Sequence, residues 1–504
     1  MIAHLDYYLD RITMYRLVLY YLIAILLMAL GLSFFKLIPY SPISILESTA
    51  ILLLVCGVTN YIFGAAFNAP RNLESAYITA LILVCIVPPL YTKADLSLII
   101  WAGILSMASK YILAFRNKHI FNPAAIAVVL TAFWLHQSAS WWVGTSLMAP
   151  VILLGGLLIV HKLRKYDFIM SFFVVFLVTI SIFTVTTGGN LTQNIKEVFL
   201  HSPLLFFAFA MLTEPITTPP TVFLQVLYGG LVGFLFAPQI HLGSLYSTPE
   251  LALVVGNIFS YTVSPKIKER LRLTNRVSLS SDVGEFTFKP SRLLHFQPGQ
   301  YLEFTLPHKS ADSRGTRRYF TIASSPTEES LLLGIKFYEN SSSFKKKLLA
   351  LDTNTDLMAG QLAGDFVLPK NPNQKMVFIA GGIGITPFRS MLKYLIDTNQ
   401  ARQITLLFMN KTVDEIVYQT IFDEAATRLG IKTVHTLTGD VPESWNGRTG
   451  RVNEHMIQEE VPDFKERIFY LSGPHAMVAS TEITLQKLGI ASSNIKKDFF
   501  PGLA

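Results

Sequence analysis

The chain has 504 residues, 51% of them hydrophobic and 15% charged, with a mean hydropathy of +0.42. That charge content is well below the roughly 25% of soluble domains, and it is unevenly spread. Residues 1–264 hold 12 Lys/Arg and 9 Asp/Glu, against 30 and 25 in residues 265–504. A single soluble globule is excluded, and so is a bare transporter. The pattern fits a membrane domain over residues 1–265 followed by a water-soluble part large enough for two modest cores.

Apolar runs lie at roughly 15–37, 43–66, 76–91, 96–115, 120–136, 141–160, 168–187, 201–213, 222–238 and 249–264. A full span takes about 20 apolar residues, so some runs are long enough and others are short. Arg11 and Arg16, Lys162 to Lys165, and the group Lys266, Lys268, Arg270 and Arg272 read as cytoplasmic charges of the positive-inside kind. Ten crossings with both ends in the cytoplasm satisfy them. No basic face interleaved with aromatics is evident, so no nucleic acid partner is expected. Cys56 and Cys85 are the only cysteines, which excludes a disulfide framework in the soluble half, and no metal site is expected.

Two short runs carry proline beside a polar residue: Phe121-Asn122-Pro123-Ala124-Ala125 and Thr213-Glu214-Pro215-Ile216-Thr217. Proline removes a backbone donor, so each helix is expected to break there, as at matching places in two five-span repeats. A carboxylate in an apolar stretch is costly, which marks Glu214, with Asn122, as a candidate membrane site. These segments, with Phe207 to Met211 and Glu250-Leu251-Ala252-Leu253 before Gly256-Asn257, resemble one membrane-subunit family. It is that of the flavin-carrying subunits of the sodium-pumping NADH:quinone oxidoreductase and the Rnf complex. The resemblance implies ten helices in two repeats with flavin among the broken helices. In that family FMN is joined through its phosphate to a threonine in a Ser-Gly-Ala-Thr motif. The nearest counterpart here is Val143-Gly144-Thr145-Ser146, so the motif is not intact. Covalent FMN on Thr145 and a non-covalent FMN, riboflavin or quinone in the same site are both open.

From Arg276 the pattern changes to short alternating strands, and after Lys375 to strand–helix alternation. An antiparallel β-barrel over 272–371 and an α/β parallel sheet over 374–504 are expected. Lys375–Ala380 reads as a buried strand running into Gly381-Gly382-Ile383-Gly384-Ile385-Thr386-Pro387 and then an amphipathic helix, Phe388–Asp397. Such a glycine loop lets backbone approach a pyrophosphate, and Pro387 suits a first helical turn.

Further motifs follow in order: Pro298-Gly299-Gln300-Tyr301, Arg318-Tyr319-Phe320-Thr321, Ser341-Ser342-Ser343-Phe344, Ser472-Gly473-Pro474 with Met477, and Asp498-Phe499-Phe500-Pro501-Gly502. Together with the glycine loop they resemble the ferredoxin–NADP reductase superfamily over residues 272–504. The resemblance implies FAD on the barrel and a nicotinamide dinucleotide on the parallel sheet. Arg318 would pair with the flavin pyrophosphate. Phe320, where the family has tyrosine, would stack on the isoalloxazine, and Thr321 would bond the flavin N5 edge. Ser342 and Ser343 would hold phosphate. Gly382, Gly384 and Thr386 would hold the dinucleotide, Ser472 would stand beside the nicotinamide where the family often has cysteine, and Phe500 would shield the flavin. Tyr319, Lys336, Ser341, Gly381, Pro387, Gly473, Pro474 and Met477 complete the cofactor-binding candidates. Lys411 is the one basic group placed to read a 2′-phosphate, and a solvated loop lysine is the plainer reading, which favours NADH over NADPH.

The leading function is a multi-pass oxidoreductase of the cytoplasmic membrane with its reductase part in the cytoplasm. It would pass electrons from NAD(P)H through FAD to a flavin or quinone in the membrane domain, as a homodimer or within a larger electron-transfer complex. Glu214 and Asn122 equally suit a sodium or proton path, so coupling to ion translocation is open. A haem-binding reductase of the ferric-reductase or NADPH-oxidase kind would need stacked histidine pairs, whereas His4, His119, His136, His161, His201 and His241 are scattered. A transporter with a redox-sensing flavin domain is the reading from another class.

Overall fold

The computed structural model describes residues 5, 8–9, 12–67, 73–115, 118–264, 268–308, 311–312 and 316–500. His4, Arg11, Asn117, Lys266, Pro501 and Gly502 lie outside the described residues, as do the side chains of Lys118, Lys268, Phe499 and Phe500. The chain folds as two compact units, Met1–Lys266 and Ile267–Ala504.

The first unit is helical: α1 Met14–Phe34, α2 Pro42–Ala66, α3 Leu73–Ile86, α4 Lys93–Ile112, α5 Pro123–Leu135, α6 Ala149–Leu163, α7 Tyr166–Thr186, α8 Leu191–Leu200, α9 Leu204–Phe206, α10 Val222–Leu235 and α11 Pro249–Val263. Helices α1, α2, α4 and α7 are long and apolar enough to cross a membrane, and α3, α5, α6 and α10 are shorter apolar helices. Ser41, Thr92, Asn122, Thr221 and Thr248 each accept a hydrogen bond from the backbone N–H three residues on. Such a cap is worth about 1 kcal/mol. From Ile78 to Ile86 every residue of α3 is buried, as expected of a helix apolar on all sides.

Three features differ from the sequence expectation. Pro123 does not interrupt a helix but opens one: its fixed φ suits the first position, and Asn122 caps it. The run at 201–213 winds as a π-helix over Phe207–Met211 and ends at Leu212, ahead of Glu214-Pro215. Helix α8 contains no apolar run; Leu191, Ile195, Val198 and Phe199 recur at helical spacing among polar residues, a period that a search for continuous hydrophobicity passes over.

The second unit begins with β1 Lys268–Ser278, ahead of the expected start at 272, and continues with β2 Val283–Pro290, β3 Tyr301–Thr305, β4 Arg317–Thr321, β5 Leu331–Lys336, α12 Ser343–Leu349 and β6 Asp356–Ala363. These strands form one antiparallel sheet in the order β4-β3-β6-β1-β2-β5. Alternating residues such as Leu271, Leu273, Phe286, Phe288, Leu302 and Phe304 are buried in its core. There follow β7 Met376–Gly381, α13 Thr386–Asp397, β8 Ile404–Asn410, α14 Gln419–Leu429, β9 Lys432–Leu437, β10 Arg448–Thr449, α15 Glu454–Glu460, β11 Ile468–Pro474, α16 His475–Lys487 and β12 Ile495–Phe500. They build a parallel sheet in the order β10-β9-β8-β7-β11-β12 with a core on each face. The strand order reverses between β7 and β11, and in open α/β sheets the carboxyl ends of strands at such a switch point form the binding crevice.

Candidate functional site

The crevice is built by the ends of β7, β11 and β12. Ala380, Ser472 and Asp498 are register partners across these strands, so their side chains share one face. Ser472 is fully buried and its hydroxyl lacks a hydrogen-bond partner among the described residues. Thr321, at the end of β4, donates to Asp498 at 3.3 Å across 177 residues of sequence. Burial pushes the Asp498 carboxyl up to about 6, and the Thr321 hydrogen bond opposes that shift. Two hydroxyls and a carboxyl thus converge where the two sheets of the unit meet.

The glycine loop closes one side. A side chain at Gly384 would place Cβ 2.4 Å from the Ser472 carbonyl oxygen and 2.6 Å from Gly473 Cα, so only glycine lets the loop lie on β11. Gly382 has φ +51° with no atom within 4 Å of a would-be Cβ, which leaves open space over the loop. Thr386 bonds back to the Ile383 carbonyl at 3.2 Å, and Pro387 lies in the first turn of α13. Met477 lies against Gly381 and Gly473, and Pro474 lies beside Gly381. Phe500 is the backbone register partner of Pro474.

A second cluster surrounds Arg318. Its guanidinium contacts Asp312 at 3.3 Å and lies over the Phe344 ring at 5.4 Å. The other Asp312 oxygen accepts from the Ser343 amide at 2.9 Å. A carboxylate therefore holds an anion position between Arg318 and Ser343, the chemistry a phosphate requires. The Ser342 hydroxyl accepts from the Lys345 amide and caps α12, whereas Ser341 turns back on Tyr338. The Lys336 side chain is paired with Asp282 and Glu415, both at 2.9 Å, and its carbonyl accepts from Lys345 at 2.7 Å. Phe320 is half-buried, 5.8 Å from both Phe304 and Phe344; the exposed ring of β4 is Tyr319, whose hydroxyl donates to Gln361 at 3.0 Å.

Two polar residues at the strand ends have no role in the sequence motifs, Asp498 and Asn410. Asn410 ends β8 with a buried carboxamide that has no hydrogen-bond partner on either atom among the described residues. Its signal was a polar residue closing the apolar run Leu406-Leu407-Phe408-Met409. The neighbouring Lys411 is exposed.

In the helical unit, the two proline segments are in direct contact. Asn122 donates to Glu214 at 2.9 Å, Thr217 donates to the same oxygen at 3.0 Å, and His119 lies 3.5 Å from the other. The Asn122 amide donates to Asn257 at 2.7 Å, and Asn257 donates to Tyr228 at 3.0 Å. The Thr145 hydroxyl is buried and has no hydrogen-bond partner among the described residues.

Residues 378–482 match the family described as the oxidoreductase NAD-binding domain. The C-terminal half is a ferredoxin–NADP reductase-like, FAD- and NAD-binding domain. The NADPH nitrate reductase of Emericella nidulans is 29% identical over 301 residues, covering 51% of this chain and 33% of that protein. A glycine betaine monooxygenase reductase subunit of Chromohalobacter salexigens is 25% identical over 239 residues, covering 46% and 64%. This chain therefore spans from a third to less than two thirds of those proteins. The cytochrome b5 reductase domain of Ulva prolifera nitrate reductase aligns at 20% identity over 47% of this chain and 98% of that one, with a TM-score of 0.42.

Proposed function

We propose that the chain is a membrane flavin oxidoreductase that moves electrons from NADH, or NADPH, through FAD to a flavin or quinone site among the helices of residues 1–265. FAD would be held by an antiparallel barrel over 272–371 and the dinucleotide by residues 374–504. The observation that carries this reading is the convergence of Thr321, Asp498 and Ser472 beside the Gly381–Pro387 loop.

The residues fit both groups. Asp312 already seats an anion between Arg318 and Ser343, which supports a flavin pyrophosphate there. The open space over Gly382 and the unsatisfied hydroxyl of Ser472 support a dinucleotide approaching the ends of β7 and β11. When bound, FAD accepts two electrons at once and releases them singly. The protein's part is to orient and exclude. Gly382, Gly384 and Thr386 bring backbone against phosphate, while Tyr319 and Phe320 offer aromatic surface. Ser472 would offer its hydroxyl to the nicotinamide, and Thr321, held by Asp498, would offer its hydroxyl to the flavin.

The four long apolar helices support a membrane setting. The shared contacts of Asn122, Glu214, Thr217 and His119 support a polar receiving site between the two proline segments, in a ten-helix fold like that of the sodium-pumping NADH:quinone oxidoreductase and Rnf flavin subunits. The test is to purify the full chain in detergent, extract its flavins, and follow NADH and NADPH oxidation with a soluble quinone. FAD with a second flavin, or quinone reduction, is expected. FAD alone with no quinone reduction would sink the relay.

A further inference from the structure

Strand β1 alternates buried Leu271 and Leu273 with Arg270 and Arg272, whose side chains are 68% and 57% exposed. The sheet register sets Arg272 directly opposite Lys289 of β2, and like charges so placed destabilise a sheet. Asp356 of β6, on the other flank of Arg272, contacts it at 3.2 Å and Arg270 at 3.6 Å, so one carboxylate is shared by two guanidiniums. The Ser291 amide bonds to the Arg270 carbonyl, which brings the end of β2 to the same corner. Just beyond are exposed Arg292 and His295, and between them Leu293, 68% exposed.

We propose that this corner docks on the anionic headgroups of the lipid bilayer. Four basic side chains, Arg270, Arg272, Lys289 and Arg292, offset by exposed Asp356 and by the buried Glu269 that accepts from Ser291, complement a negatively charged surface. The apolar Leu293 among them suits the headgroup boundary, where an apolar residue is buried while its basic neighbours stay with phosphate. The chain leaves α11 at Val263 and enters β1 at Lys268, so the basic face follows within five residues of an apolar helix. The inference rests on reading the helical unit as membrane-embedded. Docking of this corner would deepen the proposed relay by bringing the FAD-binding unit to the bilayer that holds the acceptor.

The test uses the full chain with Leu293→Cys bearing a nitroxide label; native Cys56 and Cys85 are buried. It is reconstituted in nanodiscs of phosphatidylcholine alone or with about one third phosphatidylglycerol, and label accessibility to a water-soluble nickel chelate is measured. Nickel access is expected to fall in the anionic discs. Each basic group near such a surface is worth about fivefold in the docked ratio, so Arg270→Glu with Lys289→Glu, which removes two of them and adds two negative charges, should shift it by at least about 25-fold towards the open form. Salt at about 0.5 M, where screening acts beyond about 4 Å, should do the same. NADH–ferricyanide activity in the charge-reversed variant checks that it is folded. Equal access in both lipids, or shielding that survives charge reversal, overturns the proposal alone. Shielding produced only by added polyglutamate would assign the face to an acidic protein and overturn the lipid. Failure of the chain to enter discs at all would overturn the membrane reading and this inference with it.

Discussion

Arg389 of α13 offers the sharpest test of how the reductase unit is held together. Its side chain is buried, donates to the Ala323 carbonyl at 3.1 Å, and pairs through both terminal nitrogens with the two oxygens of Glu328. The adjacent Ser390 donates to the Ser324 carbonyl at 2.6 Å. Helix α13, which follows the glycine loop, is thereby tied to the segment just after Thr321. Glu328→Gln removes the charge and turns an amide donor towards the guanidinium. Breaking a buried pair from one side costs about 3–5 kcal/mol, because the other charge is left uncompensated. The Glu328 side chain is 23% exposed, so water recovers part of the loss and the lower end, about 3 kcal/mol, applies. For a unit of this size that lowers Tm by about 6–12 °C. The measurement is flavin release on heating the full chain in detergent, compared with Arg389→Met/Glu328→Met. An apolar replacement of the whole pair is often close to neutral, so the double variant should recover most of the deficit. A single variant melting within about 2 °C of the wild type, or a double variant no better than the single, would refute the argument.

Asp498 gives a pH signature. Its carboxyl is raised by burial from about 3.8 to about 6, so ionising it opposes folding: stability falls as pH rises from about 4 to about 6 and then levels off. Asp498→Asn should erase an inflection near pH 6 in the NADH–ferricyanide rate and remove that slope; an unchanged profile would count against its place in the site. Gly384→Ala presses a methyl on the backbone of Ser472 and Gly473, which should cost about 1–3 kcal/mol of stability and raise KM for NADH more than it lowers kcat. Steady-state kinetics separates the two effects. Glu214→Gln weakens charge-assisted hydrogen bonds worth about 1.5–3 kcal/mol each, so quinone reduction should fall about tenfold while NADH–ferricyanide activity holds. Equal loss of both activities would mean that the helical cluster is structural.

The glycine loop was readable because its signal is local: a buried strand, three glycines and a proline within one strand–turn–helix. The apolar helices were readable for the same reason, since hydrophobic runs report burial directly. What escaped depends on chain segments meeting. Nothing near Thr321 in sequence announces Asp498, and nothing near Arg389 announces Glu328. The two proline segments were each legible as irregular, but their direct contact was not, because periodicity says where a helix stops and not what it stops against. The motif at Arg318-Tyr319-Phe320-Thr321 does not itself say that Phe320 is half-buried against Phe304 and Phe344 while Tyr319 is exposed.

The cap at the start of α5 also sets a timetable for making the protein. Asn122 is bonded through its side chain to Glu214, 92 residues later, and through its amide to Asn257, 135 residues later. At about 5–20 residues per second of synthesis, Glu214 emerges about 5–20 s after Asn122. Throughout that interval the amide and carboxamide of Asn122 must rely on water, lipid headgroups or the insertion machinery. The start of helix α5 is therefore completed only after Glu214 and Asn257 have been made, and a chain halted between the segments leaves that polar start open.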